Sequence, residues 1–331
     1  KKKINRRVSV APMMDCTERH DRFFLRLMSK NVMLYSEMVA TKSAIHGDRK
    51  KILSFSPEEK PLALQVGGSD KKELSKVANI AEEMNYDEIN INLGCPSKKV
   101  QKNKFGACLM KEPDLVAECI NEMVNSCNIP VTAKTRIGFD DTEDFNYLNS
   151  FILKMKEAGC KKFILHARKA ILRGLSPKQN LNIPKLNYEM VYKIKEENPE
   201  LEIIINGGIS KVEEIKKHLK FTDGVMIGRS IYQNPFFLVD IEKEIFKVKT
   251  NPSREEVAEK LLNYLEKEVK LGTKVNHIMR HTVGLYHGQV GSKKWKRYLS
   301  DNMMARDSDF QKAKHIMTIV QNNEKVNQTI A

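Results

Sequence analysis

The most restrictive feature of this sequence is a regular alternation of short apolar segments with longer amphipathic ones, from the N-terminus to about residue 247. Several apolar segments are almost continuously hydrophobic, which is typical of parallel strands buried on both faces. Eight such strands are predicted, namely Val8–Ala11, Leu34–Ser36, Leu62–Gln65, Glu88–Asn92, Val131–Thr135, Phe163–Leu165, Ile203–Asn206 and Gly224–Ile227. Because helical patterns separate them and no Gly-x-Gly-x-x-Gly follows the first, the alternation predicts a (β/α)8 TIM barrel rather than a doubly wound sheet.

The pattern changes to helices alone near Asn251-Pro252-Ser253. The barrel helices predicted before that point include Lys71–Met84, Pro113–Ser126, Phe145–Ala158, Tyr188–Asn198 and Lys211–Leu219. After it, Ser253 and Glu256 form a capping box ahead of apolar residues at helical spacing. Further helices are predicted near 275–286, 292–303 and 308–322. The sequence therefore predicts two domains, a barrel of residues 1–247 and a small all-helical domain of residues 252–331.

Composition and charge narrow the class of partner. The chain has 331 residues, 41% of them hydrophobic, which is enough for a large core. Its net charge of +15 and pI near 9.4 favour a polyanion such as nucleic acid, although a lysine-rich, AT-biased genome is an alternative source of the charge. The six cysteines lack a Cys-x-x-Cys pair and zinc-like His spacing, so we expect a reducing compartment and no metal site.

The sequence also bears on location and assembly. No apolar run reaches the length of a membrane span, and no signal-peptide core follows the first residues. We therefore expect a cytoplasmic protein without membrane contact, or an organellar one if a targeting segment precedes residue 1. We expect a monomer without an obligate protein partner.

The residues at the ends of seven predicted strands are unusually polar for such positions. They are Pro12-Met13-Met14-Asp15 after the first strand, Gln65 after the third, Asn92 to Cys95 after the fourth, Lys134 and Arg136 after the fifth, His166 and Arg168 after the sixth, Asn206, Gly207 and Gly208 after the seventh, and Gly228 and Arg229 after the eighth. Each one alone could be an ordinary cap. Together they predict a functional site, because barrels place their sites at these strand ends.

The last two strand ends predict an anion site. Gly207, Gly208 and Gly228 have no side chains, so backbone N–H groups can approach a phosphate, and Arg229 adds charge. Purely structural turns are the alternative. Lys134 would then point along the barrel axis towards an anionic cofactor ring, unless it is paired with a carboxylate in the core.

The loop after the fourth strand carries the most reactive candidate. The strand breaks at Gly94-Cys95-Pro96, where Gly94 permits a sharp turn and Pro96 excludes helical geometry. The Cys95 thiol could project into the mouth of the barrel, or it could be a small buried apolar group. After the sixth strand, the long basic loop around Lys178 predicts a contact with substrate, with an ordinary solvated insertion as the alternative.

In the helical domain, cations are interleaved with aromatic residues over Lys293–Tyr298. This pattern suits phosphates and bases. Trp295 is interpreted as the core anchor of that domain, with the lysines outside.

Five motifs resemble those of the dihydrouridine synthases, flavin enzymes that reduce uridine in tRNA. They are Ala11-Pro12-Met13-Met14-Asp15, Leu93-Gly94-Cys95-Pro96-Ser97, Lys134-Thr135-Arg136-Ile137-Gly138, His166-Ala167-Arg168 and Asn206-Gly207-Gly208-Ile209. The run from His166 to Ala170, with Gly174-Leu175-Ser176-Pro177-Lys178, is similar to the bacterial A-type branch, which acts at positions 20 and 20a of the D-loop. The similarity covers nearly the whole chain.

The resemblance implies a set of roles for these residues. FMN would be held by Pro12, Met13, Met14, Gln65, Lys134, His166, Asn206, Gly207, Gly208, Gly228 and Arg229. The tRNA would be contacted by Asn92, at the uracil or its ribose, and by Arg168, Lys178, Gln179, Asn182, Lys293, Lys296 and Arg297. Two positions depart from the branch, because Cys16 stands where Trp is usual and Leu181 where Arg is frequent.

The resemblance also implies a mechanism. NADPH would reduce FMN, a hydride would pass to C6 of an extruded uridine, and Cys95 would give the proton to C5. A free thiol has a pKa of about 8.5 and is mostly protonated at neutral pH, so it can act as an acid. The alternatives are an FMN-dependent barrel reductase of a small molecule and a tRNA-binding barrel without catalysis.

Overall fold

The computed structural model describes residues 4–303 together with Gln311, Lys314, His315, Met317 and Thr318. The described chain divides into two compact units. The first comprises the residues up to Thr17 and Val32–Gly228, and the second comprises Glu18–Asn31 and the chain from Arg229 onward.

The first unit is a barrel of parallel strands. Within the described residues they are β1 (Val8–Val10), β2 (Leu34–Ala40), β3 (Leu62–Gly67), β4 (Glu88–Leu93), β5 (Val131–Arg136), β6 (Lys162–His166), β7 (Glu202–Asn206) and β8 (Gly224–Ile227). They pair in the order β1-β8-β7-β6-β5-β4-β3-β2. The sheet closes where the Val10 N–H donates to Met33 O at 2.9 Å and the Met33 N–H donates to Val8 O at 3.1 Å. The predicted (β/α)8 barrel is confirmed, with all eight predicted strands in place.

Helices are numbered along the chain. They are α1 (Arg19–Arg26), α2 (Thr41–His46), α3 (Arg49–Ile52), α4 (Lys71–Glu83), α5 (Lys98–Lys102), α6 (Pro113–Ser126), α7 (Phe145–Glu157), α8 (Tyr188–Glu197), α9 (Val212–His218), α10 (Arg229–Gln233), α11 (Phe237–Glu244), α12 (Arg254–Lys270), α13 (Val275–Met279) and α14 (Ser292–Tyr298). The five predicted barrel helices agree with α4, α6, α7, α8 and α9 to within one residue at each end. The short helices α2, α3 and α5 were not predicted, because so few residues show no clear apolar period.

The barrel interior changes in character along its axis. Its middle is an apolar cluster, which consists of Ala11, Met33, Tyr35, Ala63, Ile164, Ile204 and Met226. Below the cluster, at the N-terminal ends of the strands, Arg6 forms a buried ion pair with Glu88. Above it, the polar residues of the C-terminal strand ends line what we call the barrel mouth. The core thus closes the barrel below the mouth and gives the mouth a floor.

The second unit is helical. Helix α12 begins with the predicted capping box, in which Glu256 N donates to Ser253 Oγ at 3.2 Å and Ser253 N donates to Glu256 Oε2 at 2.8 Å. Trp295 is fully buried and donates from Nε1 to Thr282 O at 2.8 Å, which confirms it as a core residue. The helix predicted over 275–286 is shorter, because α13 ends at Met279 and a 3₁₀ helix continues it.

The predicted helix at 308–322 lies mostly outside the described residues, and the described ones there are helical. The domain boundary expected between residues 247 and 252 differs from the compact units, which divide after Gly228 and group α1 with the later helices. Glu242 of α11 accepts hydrogen bonds from Ser29 and Asn31 after α1, a long-range contact that sequence spacing does not reveal. None of the described helices is long and apolar enough to cross a membrane.

Candidate active site

The barrel mouth joins Gln65, Asn92 and the Cys95 loop by hydrogen bonds. Asn92 Nδ2 donates to Gln65 Oε1 at 2.9 Å, across the paired strands β3 and β4. Asn92 Oδ1 accepts from the backbone N–H groups of Gly94 at 3.1 Å and Cys95 at 3.0 Å. Asn92 therefore shapes the turn that carries the cysteine, and Cys95 is partly exposed rather than a buried apolar residue.

The glycine of this turn lies close to strand β5. Gly94 has no positive φ, whereas a Cβ there would lie 3.3 Å from the Thr135 carbonyl carbon and 3.5 Å from Arg136 Cγ. It therefore permits close approach to β5 rather than an unusual backbone angle. The 3₁₀ helix Gly106–Lys111 supports the turn from the other side, because Ala107 N donates to Cys95 O at 2.9 Å.

Lys134 lies on the inner face of the barrel and reaches towards β7. Its Nζ donates to Asn206 Oδ1 at 3.1 Å, and Asn206 Nδ2 donates to Met226 O at 2.8 Å. No carboxylate among the described residues is paired with it, so the alternative of a core ion pair does not hold there. Desolvation, with repulsion from Arg136, lowers the pKa of Lys134 to about 7, although the Cys95 sulfur acts in the opposite direction. The mouth thus contains a cation that lacks a counter-charge among the described carboxylates.

The turn after β7 has the backbone expected of an anion-binding site. Gly207 and Gly208 have φ values of 123° and 72°, which side chains rarely tolerate. A Cβ at Gly207 would lie 2.8 Å from His166 Cδ2, so the turn runs directly beside that ring. Tyr188 fixes the turn from α8 by donating to Gly207 O at 2.7 Å.

The last strand end packs on the first. A Cβ at Gly228 would lie 3.3 Å from Met13 Sδ and 3.4 Å from Ala11 Cβ. Pro12 and Met13 are half-buried and Met14 is 53% exposed. Arg229 begins α10 and belongs to the second unit. A flat cofactor that carries a phosphate fits these groups, which are the glycine turns, Lys134 and the Met13 side chain beside Gly228.

Two side chains attach the Cys95 loop to the segment between β6 and α8. Arg136 Nε donates to Gly94 O at 2.9 Å, while its Nη1 donates to Lys169 O at 3.1 Å and Asn180 O at 3.2 Å. Gln101 Nε2 donates to Pro96 O at 2.9 Å and to Leu172 O at 3.0 Å. Gln101 is not among the residues predicted from the sequence, because a glutamine in a lysine-rich segment carries no signal of its own.

The segment between β6 and α8, residues 167–187, is held from within by Asn180. This residue is fully buried and exchanges hydrogen bonds with Ile171, receiving from Ile171 N at 2.7 Å and donating to Ile171 O at 2.9 Å. Arg168 donates to the Asn182 and Pro184 carbonyls. The predicted residues Lys178, Gln179 and Asn182 are exposed on this segment. Internal hydrogen bonds therefore hold this segment, and its contact with substrate stays a prediction.

The remaining predicted residues lie on α14 of the second unit. They are Lys293, Lys296 and Arg297, which are exposed around the buried Trp295, as predicted. Arg297 Nε lies 3.6 Å from Asp301 Oδ2.

Comparisons with known proteins agree with the motifs. The model of the dihydrouridine synthase (Dus) family matches residues 9–323. The chain is 50% identical over 302 residues to the tRNA-dihydrouridine(20/20a) synthase of Shewanella oneidensis, covering 91% of this chain and 90% of that protein. It is 48% identical over 316 residues to the same enzyme of Escherichia coli K12, covering 95% of this chain and 91% of that protein. The chain therefore belongs to the dihydrouridine synthase family of enzymes, as the residues of its strand ends predicted.

Proposed function

We propose that this protein reduces uridines 20 and 20a in the D-loop of tRNA to 5,6-dihydrouridine, with FMN as cofactor and NADPH as reductant. The observation that carries the proposal is the arrangement of the barrel mouth. The turn after β4 carries the Cys95 thiol, and Lys134 on the adjacent strand β5 reaches Asn206, which directly precedes the Gly207-Gly208 turn. A flat cofactor ring held by Lys134 and the glycine turn would face a base delivered to Cys95.

The proposed roles follow from the chemistry of the groups present. Bound FMN would supply the hydride that adds to C6 of the uracil. Lys134 and the glycine turns would hold the anionic groups of the cofactor, because the backbone N–H groups and the ammonium group are the donors of this region. Cys95 would donate its proton to C5, since it is partly exposed on a loop that hydrogen bonds to its backbone fix in place.

The substrate would be held by its phosphates and by one extruded base. A base stacked in tRNA cannot reach a thiol inside a barrel mouth, so the target uridine must leave its stack. We assign contacts with the tRNA to Arg168, Lys178, Gln179 and Asn182 in the first unit, and to Lys293, Lys296 and Arg297 in the second. The overall charge of +15 supports a polyanionic substrate.

The test is mass spectrometry of unmodified tRNA after incubation with the protein, FMN and NADPH, followed by nuclease digestion. We expect a gain of two hydrogens per modified uridine, confined to D-loop fragments that contain positions 20 and 20a. A gain at other positions would retain the reaction but contradict the proposed site. No gain, with FMN reduced by NADPH, would contradict the tRNA substrate and favour a small-molecule reductase.

A further inference from the structure

A chain of hydrogen bonds between buried side chains runs up the barrel interior to the Cys95 loop. It begins at Glu88, whose Oε1 accepts from Thr132 Oγ1 at 2.7 Å. Thr132 Oγ1 accepts from Asn90 Nδ2 at 2.8 Å, and Asn90 Oδ1 accepts from Gln65 Nε2 at 2.8 Å. Gln65 then accepts from Asn92, whose Oδ1 receives the backbone N–H groups of the cysteine turn. Five side chains from β3, β4 and β5 therefore form one continuous path.

The path has a single direction, which its two ends impose. A carboxylate can only accept hydrogen bonds, so the Thr132 hydroxyl must donate to Glu88 and its oxygen must accept from Asn90. At the other end the N–H groups of Gly94 and Cys95 can only donate, so Asn92 must turn its oxygen towards them. Reversing any one amide would place two donors or two acceptors face to face. The amide orientations are thus set by the network, and each bond polarises the next.

The lower end is anchored firmly. Glu88 is fully buried and is paired with Arg6, whose Nε lies 2.7 Å from Oε2. Tyr35 donates to Glu88 Oε1 at 2.6 Å, and burial beside Glu88 raises the pKa of Tyr35 well above its ordinary value. The phenol therefore remains a donor throughout the physiological range. Together these contacts fix the carboxylate that begins the path.

We infer that Glu88, Thr132 and Asn90 are positioning residues, which hold the Gln65 and Asn92 amides, and through them the Cys95 turn, in the orientation that catalysis requires. This inference rests on the proposed function. None of the three residues is at the C-terminal end of its strand, and they act through Gln65 and Asn92.

The test compares Thr132→Val, Thr132→Ser and Thr222→Val. Valine keeps the size of threonine but can neither donate to Glu88 nor accept from Asn90, whereas serine can do both. Thr222 is also buried, but its hydroxyl donates to the His218 and Gly224 carbonyls at the N-terminal end of β8, so Thr222→Val is a matched control. Two quantities are measured, the single-turnover reduction of tRNA uridine with its dependence on tRNA concentration, and the rate at which iodoacetamide alkylates Cys95 without tRNA.

For Thr132→Val we expect the maximal rate of reduction to fall by about 10- to 100-fold, because a small misplacement of a reacting group has effects of that size. The KM for tRNA should change by less than about twofold, since uniform substrate binding is untouched. Alkylation of Cys95 should change several-fold, and Thr132→Ser and Thr222→Val should behave as the wild type. A Thr132→Val protein with wild-type reduction and alkylation would overturn the inference.

A variant at Asn90 tests the same path if the Thr132→Val protein does not fold. Asn90→Leu is similar in size and can neither donate to Thr132 nor accept from Gln65, so the same decreases are expected. Wild-type behaviour of this variant would also overturn the inference. If the wild-type protein does not reduce tRNA, the proposed function fails, whereas the alkylation rates of the variants still decide whether the path positions Cys95.

Discussion

At the scale of single residues, the site depends on two groups whose surroundings differ. Lys134 donates a hydrogen bond to the Asn206 amide, and desolvation with repulsion from Arg136 lowers its pKa to about 7. Cys95 lies on a turn that neighbouring loops and strands support through backbone atoms. Desolvation therefore lowers the pKa of the lysine, and hydrogen bonds to its turn fix the position of the cysteine.

The lysine predicts a pH dependence of cofactor binding. An anionic ligand favours the charged ammonium and raises its pKa, so binding takes up a proton above pH 7 and the affinity for FMN falls between about pH 7 and 9. Titrations that follow flavin fluorescence at several pH values should show this decrease. Lys134→Gln should bind FMN more weakly at pH 7 and should lose most of the dependence. An equal slope in both proteins would contradict the role of Lys134.

The cysteine predicts a decrease confined to the chemical step. Without its acid, Cys95→Ala should reduce tRNA uridine about 10²- to 10⁴-fold more slowly, while FMN binding and the oxidation of NADPH remain. Single-turnover assays with reduced protein measure this directly. Cys108→Ala is the matched control, because Cys108 is half-buried in the neighbouring 3₁₀ helix and its thiol donates to Phe105 O within the same segment. Full activity of Cys95→Ala would exclude it as the proton donor.

At the scale of elements, the short segments between the strands hold the Cys95 turn in place together with the strands. Helix α5 directly follows the Cys95 turn, and its Gln101 binds both that turn and Leu172 in the segment after β6. Arg136 at the end of β5 makes the same connection from inside the barrel. Hydrogen bonds of Gln101 and Arg136 therefore connect the Cys95 turn to residues 167–187, the segment assigned to tRNA. We expect a movement of one of them to be coupled to the other.

This connection predicts a local effect of Gln101→Glu. The substitution keeps the shape but replaces two donors with acceptors facing two carbonyl oxygens, so residues 95–101 and 171–182 should exchange amide hydrogens faster. Hydrogen-exchange mass spectrometry measures this peptide by peptide. Lys102→Glu also adds a carboxylate to α5, on an exposed side chain, and should leave both segments unchanged. Equal exchange in the two variants would show that Gln101 does not connect the loops.

At the scale of the whole molecule, charge and architecture point to the same substrate. The barrel concentrates the chemistry in one mouth, and the helical unit carries exposed cations on α14 around a buried aromatic core. The net charge of +15 would accelerate encounter with tRNA, and it makes binding sensitive to salt.

We therefore expect the affinity for tRNA to fall steeply as the KCl concentration rises. A double substitution of Lys293 and Lys296 by alanine should weaken binding and make the log–log slope shallower by about one unit for each phosphate that is no longer neutralised. The control replaces Lys72 and Lys76, two exposed lysines of α4, and removes the same charge. Filter binding over a salt series distinguishes the two. Identical slopes would show that α14 does not bind the tRNA phosphates.

The sequence by itself determined the eight strands, the five long barrel helices, the capping box of α12 and the residues at the strand ends. These features are local, because buried parallel strands and amphipathic helices have distinct hydrophobic periods over a few residues. The motifs at the strand ends also identified the family. The alternation Glu88-Ile89-Asn90-Ile91-Asn92 predicts only a strand, although every second residue of it is polar and fully or largely buried.

Only the tertiary structure decided what those polar residues do. The path from Glu88 to the Cys95 turn crosses three strands. The hydrogen bonds of Arg136, and that of Gln101 with Leu172, join residues that are 33 to 71 positions apart in the chain. Likewise, Gly94 leaves room for the close approach of β5, and α1 joins the second unit through contacts such as that of His20 with Tyr264, which are 244 positions apart. Such contacts depend on which backbones meet in space, and no local period of the sequence records that.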